Sequence, residues 1–315
     1  MQRLNDDHSP ELAPGGEVVC FGVLSYLQLI VVDEVPVYDR GTPISRLSDS
    51  YGDDAAIVAG MLQQMGQTTR FIPSAVGEDD LGRKVTETVT DLGLPVDVRV
   101  DPSVATVAEL SIADPSGGRT YLYKRTPELL ATLDAADLTP LASAAYLYVD
   151  WYDGDHILRP IQAAARVGLP VFVNIEDQHA NRDLLAKLLP QMIVCQVSAD
   201  GSPAAEDMAA IADSLLDAGV GTVLVTGGSQ GSLVAEASQR VRVSPPEVAV
   251  VDGNGAGSCF SASFIYGSLR GWDLERCARF ATAQASLKCS TAGYTVSAVA
   301  EGERLAATLQ ADIHR

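Results

Sequence analysis

Val250-Val-Asp-Gly-Asn-Gly-Ala-Gly-Ser-Cys-Phe-Ser-Ala-Ser-Phe-Ile-Tyr-Gly-Ser-Leu-Arg-Gly271 is the stretch that decides how this chain is read. A short apolar run ends at Asp252, and Gly253, Gly255 and Gly257 alternate through the turn that follows. Phe260, Phe264, Ile265 and Leu269 then fall at the spacing of one buried helical face. Glycines directly before a helix let several backbone N–H groups converge on one point, where the helix dipole adds partial positive charge. Such a turn is built to hold an anion, most often a phosphate. A plain strand-to-helix turn uses the same residue types, so the pattern alone is a weak signal.

Outward from that turn, short apolar runs alternate with helix-length periodic ones. Strands are expected at 17–23, 28–32, 69–76, 145–150, 170–175, 192–197 and 221–226, with two more inside 232–243. Helices are expected from Gly52 to a stop at Gly66, from the 77–82 turn to about Gly93, and over 155–167, 181–189, 202–218, 273–289 and 297–307. Repeated strand–helix units imply a mainly parallel sheet covered on both faces. Between Asp97 and Lys124 the pattern changes to short alternating segments around the turn Asp114-Pro-Ser-Gly-Gly118, which is hairpin patterning. The insertions at about 24–49 and 97–125 are expected to form a small β-sheet lid over the carboxyl ends of the strands, the edge where such sheets bind ligands.

The 315 residues, 47% hydrophobic and 20% charged, fit a soluble globular protein with a substantial core. A net charge of −19 argues against binding to nucleic acid or to an anionic membrane, both of which repel negative surface. The five cysteines form no C-x-x-C pair and read as free thiols of a reducing cytoplasm, without metal. Residues 1–16 are polar, lack an apolar signal core and read as a mobile tail before a single domain over 17–310.

Six motifs give the chain a resemblance to the ribokinase-like (PfkB) carbohydrate kinases, nearest the ketohexokinase and fructokinase branch. Asp252-Gly-Asn-Gly-Ala-Gly-Ser258 resembles the family's Asp-Thr-x-Gly-Ala-Gly-Asp. Phe21-Gly22 through Val32-Asp33-Glu-Val-Pro36 resembles its opening strand, and Val76-Gly-Glu-Asp-Asp-Leu-Gly82 its Val-Gly-Asp-Asp-x-Phe-Gly. Gly118-Arg-Thr120 resembles its lid, and Val225-Thr-Gly-Gly228 with Gly231 its phosphate-side strand and turn. The segment from Ala285 to Gly293 resembles the one closing the adenine pocket. The resemblance implies a ribokinase-like three-layer sandwich with a lid, a homodimer formed through that lid, and ATP- and Mg²⁺-dependent phosphoryl transfer to a sugar-like hydroxyl. It places Gly255, Ala256 and Gly257 at the developing charge, and Thr226, Gly228, Gly231, Asn254 and Gly293 at the nucleotide. Asp252 takes a position that helps organise a monovalent-cation site.

The departures are as informative. The family's last signature residue is an Asp that takes the proton of the attacking hydroxyl; here it is Ser258, a poor proton acceptor at neutral pH. An Asp of the sugar site falls on Leu27, an Asn on Ile57, and the Gly-Gly before that Asn is Tyr51-Gly52. Two further readings stay open beside an active kinase: a binding protein that has shed the chemistry, and a kinase for a less polar acceptor using Asp53 or Asp54, whose ordinary role at a helix start is capping.

Elsewhere, Glu176 ends a strand on the ligand edge, where a carboxylate orders Mg²⁺ or sits solvated in a loop. In Trp151-Tyr-Asp-Gly-Asp155-His156, Asp153 or Asp155 stands near the cleft, with Asp155 the candidate helix cap. Lys124 and Arg125 read as a solvated lid edge.

Overall fold

Val18–Gly22 (β1) is buried along its whole length, as a central parallel strand with helices on both faces must be. Its side chains alternate: Val18 and Cys20 join one apolar cluster, Val19 and Phe21 the other. The structure, a computed structural model, describes residues 16–114, 119–199 and 207–314. The expected N-terminal tail, apart from Gly16, and the tip of the lid turn, Gly118 included, lie outside the described residues.

After β1 come β2 (Ser25–Val32), β3 (Ile44–Gly52), α1 (Asp54–Gln64), β4 (Thr69–Pro73), α2 (Asp80–Asp91), β5 (Val107–Ala113) and β6 (Arg119–Lys124). The middle holds α3 (Pro127–Ala131), β7 (Tyr146–Asp150), α4 (Leu158–Arg166), β8 (Val171–Asn174), α5 (Arg182–Leu188), β9 (Val194–Ser198) and α6 (Met208–Asp217). The last third holds β10 (Thr222–Thr226), β11 (Ser232–Glu236), β12 (Gln239–Val243), α7 (Ala256–Ser268), α8 (Leu274–Cys289), α9 (Val299–Ala306) and β13 (Ala311–His314).

Nine strands form the main sheet in the order β13-β12-β11-β10-β9-β8-β7-β1-β4. From β4 to β10 every pairing is parallel, and from β10 to β13 every pairing is antiparallel. α1, α7 and α8 feed the apolar cluster on one face, while α4, α5 and α6 feed the other. This is the ribokinase-like three-layer α/β fold, with a second sheet, β3-β2-β5-β6, beside it.

The lid is narrower than the sequence suggests. Val96 bridges Phe71 and Val100 bridges Val76, both in parallel, so the segment before β5 extends the main sheet's edge instead of joining the lid. The strand β13 carries no sequence signal: one half-buried and three exposed residues close the far edge without a period. Residues 155–157, expected to start a helix, belong instead to a 3₁₀ stretch over Trp151–Ile157 that is interrupted at Gly154 and capped by Asp150.

Candidate active site

The helices α1 and α7 both begin above the carboxyl ends of β1, β7, β8 and β9, so two positive helix ends converge on one spot. At the start of α1, Asp53 caps by accepting from the Asp54 N–H, and it does so at φ 79°, a left-handed conformation costly for a non-glycine residue. That twist turns Asp54 away from the cap and into the cleft.

Three side chains from three other elements converge on Asp54. Asp54 Oδ1 accepts from Ser258 Oγ at 2.5 Å. Its Oδ2 accepts from Asn174 Nδ2 at 2.9 Å and from the Tyr148 hydroxyl. Burial, reinforced by Asp54 and Asp150, pushes Tyr148 well above the usual phenol range, so it stays protonated and donates. The serine at the signature's last position is therefore hydrogen-bonded to a carboxylate from another helix.

The glycine turn is held from all sides. Gly255 caps α7 at φ 74°, and a Cβ there would lie 2.8 Å from the Tyr294 ring, so only glycine fits. No side chain caps α7. Asn254 accepts from Ser111 Oγ of β5 at 2.7 Å, and Arg119 of β6 donates to the Gly253 carbonyl at 2.8 Å. The lid is thus fastened directly onto the turn. Beneath it, Asp252 Oδ1 accepts from both nitrogens of Asn254, and its Oδ2 from the Gly293 N–H at 3.0 Å. The fully buried Lys288 ammonium lies 2.8 Å from the Asp252 carbonyl and 3.7 Å from its carboxylate. The chain itself thus places positive charge beside Asp252, the residue that the resemblance assigns to a monovalent-cation site.

A second polar network hangs the lid on the body. Arg125 meets Asp53 at 2.8 Å, Glu109 at 3.2 Å and Asp153 at 3.4 Å. With Asp150 also buried alongside, carboxylates outnumber the guanidinium. Burial pushes Asp53 and Asp150 well above the usual carboxylate range and Asp153 up to about 6. Arg125 is therefore a buried tether and not the solvated edge its position in the sequence suggested. Asp155, the expected cap, is instead exposed and paired with Lys187.

A cavity of about 530 Å³ connects the expected regions. Thr226, Gly228 and Gly231 line one end, Leu27 and Ile57 the other, and Gly255, Ala256, Gly257 and Ser258 lie between them. Glu176 also lines it, at φ 51°, accepting from Asn174 Nδ2 at 2.7 Å. Burial, then Asp54, raises Glu176 to about 7. Four expected site residues are not on its wall: Asn254, Gly293 and Asp252 bond one another under the turn, and Gly52 is a packing glycine whose Cβ would lie 2.5 Å from Ser25 Oγ.

Residues beyond the expected set complete the site. Asn174 and Tyr148 carry no local signal for their roles, and Arg119 was legible only as part of the lid motif Gly118-Arg-Thr120. Gln196, on β9, donates to the Gly257 carbonyl at 3.2 Å and accepts from Ser261 at 2.7 Å, fixing the first turn of α7.

The sequence profile of the pfkB family carbohydrate kinases matches residues 16–300. A nucleoside kinase from Methanothermobacter thermautotrophicus is 26% identical over 281 residues, 86% of this chain and 88% of the relative. An acarbose 7(IV)-phosphotransferase from Actinoplanes sp. is 25% identical over 287 residues, 87% of this chain and 92% of the relative. Among solved structures, Arabidopsis thaliana ribokinase complexed with ribose and ATP superposes with a TM-score of 0.72 at 21% identity, over 93% of this chain and 99% of that one. With the profile covering most of the chain and the fold matching throughout, the protein belongs to the pfkB family of carbohydrate kinases.

Proposed function

We propose that this protein transfers the γ-phosphoryl group of ATP to a hydroxyl of a sugar-like acceptor. The observation that carries the reading is the single cavity running from the β10–β11 turn, past the start of α7, to the lid. Phosphoryl transfer depends mostly on positioning and electrostatic stabilisation, and the uncapped α7 N-terminus supplies N–H groups where charge develops. The nucleotide would lie over Gly228 and Gly231 against Ala285, Ser286 and Cys289 of α8.

The donor set fits Mg²⁺: Glu176 offers a carboxylate on the cavity wall beside the anion turn, and its raised proton affinity is what a divalent cation would displace. When bound, Mg²⁺ would neutralise phosphate charge.

At the acceptor end, Leu27 and Ile57 stand where the family resemblance places polar anchors, and Tyr121, Tyr123 and Tyr152 close the wall. That lining favours a sugar joined to an apolar or aromatic group, nucleoside-like in character, over a bare monosaccharide. Free cysteines and ATP use are consistent with work in the cytoplasm. No helix among the described residues is long and apolar enough to cross a membrane.

ADP release over a panel of nucleosides, glycosides and free sugars tests the reading. Turnover should be highest with nucleosides and aryl glycosides, and no ADP above background with any acceptor would sink it. The competing reading, a non-catalytic nucleotide or sugar binder, draws on Ser258 together with Leu27 and Ile57. It requires ATP binding in calorimetry without turnover.

A further inference from the structure

The α1 and α7 N-termini juxtapose a carboxylate and a hydroxyl that lie 204 positions apart in the chain. Of the side chains donating to Asp54, Ser258 lines the cavity, whereas Tyr148 and Asn174 do not. With its own proton directed at Asp54 Oδ1, the Ser258 oxygen lies on the cavity wall beside Gly257 with lone pairs able to accept. Asp54 lies on the same cavity wall, and its Oδ1 accepts from Ser258, so an acceptor hydroxyl at the α7 N-terminus meets the serine oxygen one hydrogen bond from a carboxylate.

We infer that Asp54, reached through the Ser258 hydroxyl, receives the proton of the attacking acceptor hydroxyl. The inference rests on the kinase reading above and adds where the proton goes. As the acceptor oxygen bonds to the γ-phosphorus, its O–H bond breaks and the proton passes to Ser258 Oγ. The proton of Ser258 moves simultaneously to Asp54 Oδ1. The bond between the γ-phosphorus and the β–γ bridging oxygen breaks, and ADP leaves with that electron pair. Asp54 later returns the proton, by way of Ser258, to solvent entering the emptied cavity. The chain thus keeps a carboxylate within one hydrogen bond of the signature position while carrying it on a different helix. Tyr148 and Asn174 hold that carboxylate in place from behind.

The test is steady-state ADP release with an acceptor that the wild type turns over, alongside calorimetric binding of Mg-ATP. Asp54→Asn should lower kcat by about 10²–10⁴-fold, the usual weight of a general base, with ATP affinity unchanged. The double variant Asp54→Asn/Ser258→Asp should recover about tenfold or more over Asp54→Asn, because it returns a carboxylate to the α7 position. Support for packing alone would not produce that recovery. Ser258→Ala should lose kcat, and Ser258→Thr, which keeps a hydroxyl, should stand well above it. If Asp54→Asn fails to fold, the serine pair decides: equal kcat for Ser258→Ala and wild type overturns the relay. An active wild type whose Asp54→Asn variant keeps its kcat overturns this inference alone. A wild type that forms no ADP with any acceptor overturns the kinase reading and this inference with it.

Discussion

Asp153 has its side chain fully buried, accepts from the Val23 N–H at 3.1 Å and faces Arg125, His156, Glu109, Asp53 and Asp150. Its pKa of about 6 lies above the ordinary 3.8, so folding favours its protonated form. A group raised in this way contributes stability that is complete below its unfolded value and is lost as pH rises through the folded one. Between about pH 4 and pH 6 the wild type should therefore lose stability relative to Asp153→Asn, by about 1.4 kcal/mol for each pH unit crossed. Thermal melts of both chains across that range check it; parallel curves would contradict the assignment. Little of this was legible in the sequence. Asp53 and Asp54 read alike as helix-start acids, and Asp53 does cap. What separates them is the φ of Asp53 and a partner on α7, neither of which local sequence encodes. The signal that did exist was the serine itself: a signature missing its carboxylate invites a search for another one nearby.

The elements legible from sequence were those with a clear period. The buried strands of the parallel sheet read as short apolar runs, and α8 as a long amphipathic one. The lid was harder, since its segments are short and its attachment is made by single residues. Arg125 looked like an exposed edge because its partners come from the body and from another lid strand: Asp53, Glu109 and Asp153. Removing it leaves those carboxylates buried without a counter-charge, at a cost of about 3–5 kcal/mol. Arg125→Ala should accordingly lower Tm by several degrees, and proteolysis should cut first between β5 and α3. Arg125→Lys should restore only part of the loss, since one ammonium cannot span carboxylates that meet two guanidinium nitrogens. Unchanged melting of Arg125→Ala would show that the lid is held elsewhere.

At the scale of the molecule, strand–helix alternation was enough to foresee the layered sheet, and the hairpin patterning of the two insertions to foresee the lid. The register of the lid sheet adds what neither supplied. Ile30 pairs with Leu47 and with Ile112, and Leu110 pairs with Leu122. Strand alternation puts the side chains of these residues on the face opposite Leu27, Glu109 and Tyr121, which line the cavity, and Leu122 borders the cavity as well. Leu47 and Leu122 are 54% and 57% exposed, too much apolar surface for a lid edge that meets only water. Pairing of two lids through this face is the expected assembly. Light scattering should give the mass of a dimer, and Leu47→Glu/Leu122→Glu the mass of a folded monomer. A wild-type monomer at micromolar concentration would rule the lid out as the contact.

One further consequence follows from Lys288. The charge that steadies Asp252 is covalently part of α8, so it cannot be exchanged with the surrounding medium or diluted away. The anion turn thus carries a fixed counter-charge of its own. On the proposed kinase reading, ADP release should therefore proceed at the same rate in potassium, sodium or a bulky organic cation, and a rate that depends on the cation would contradict this role for Lys288.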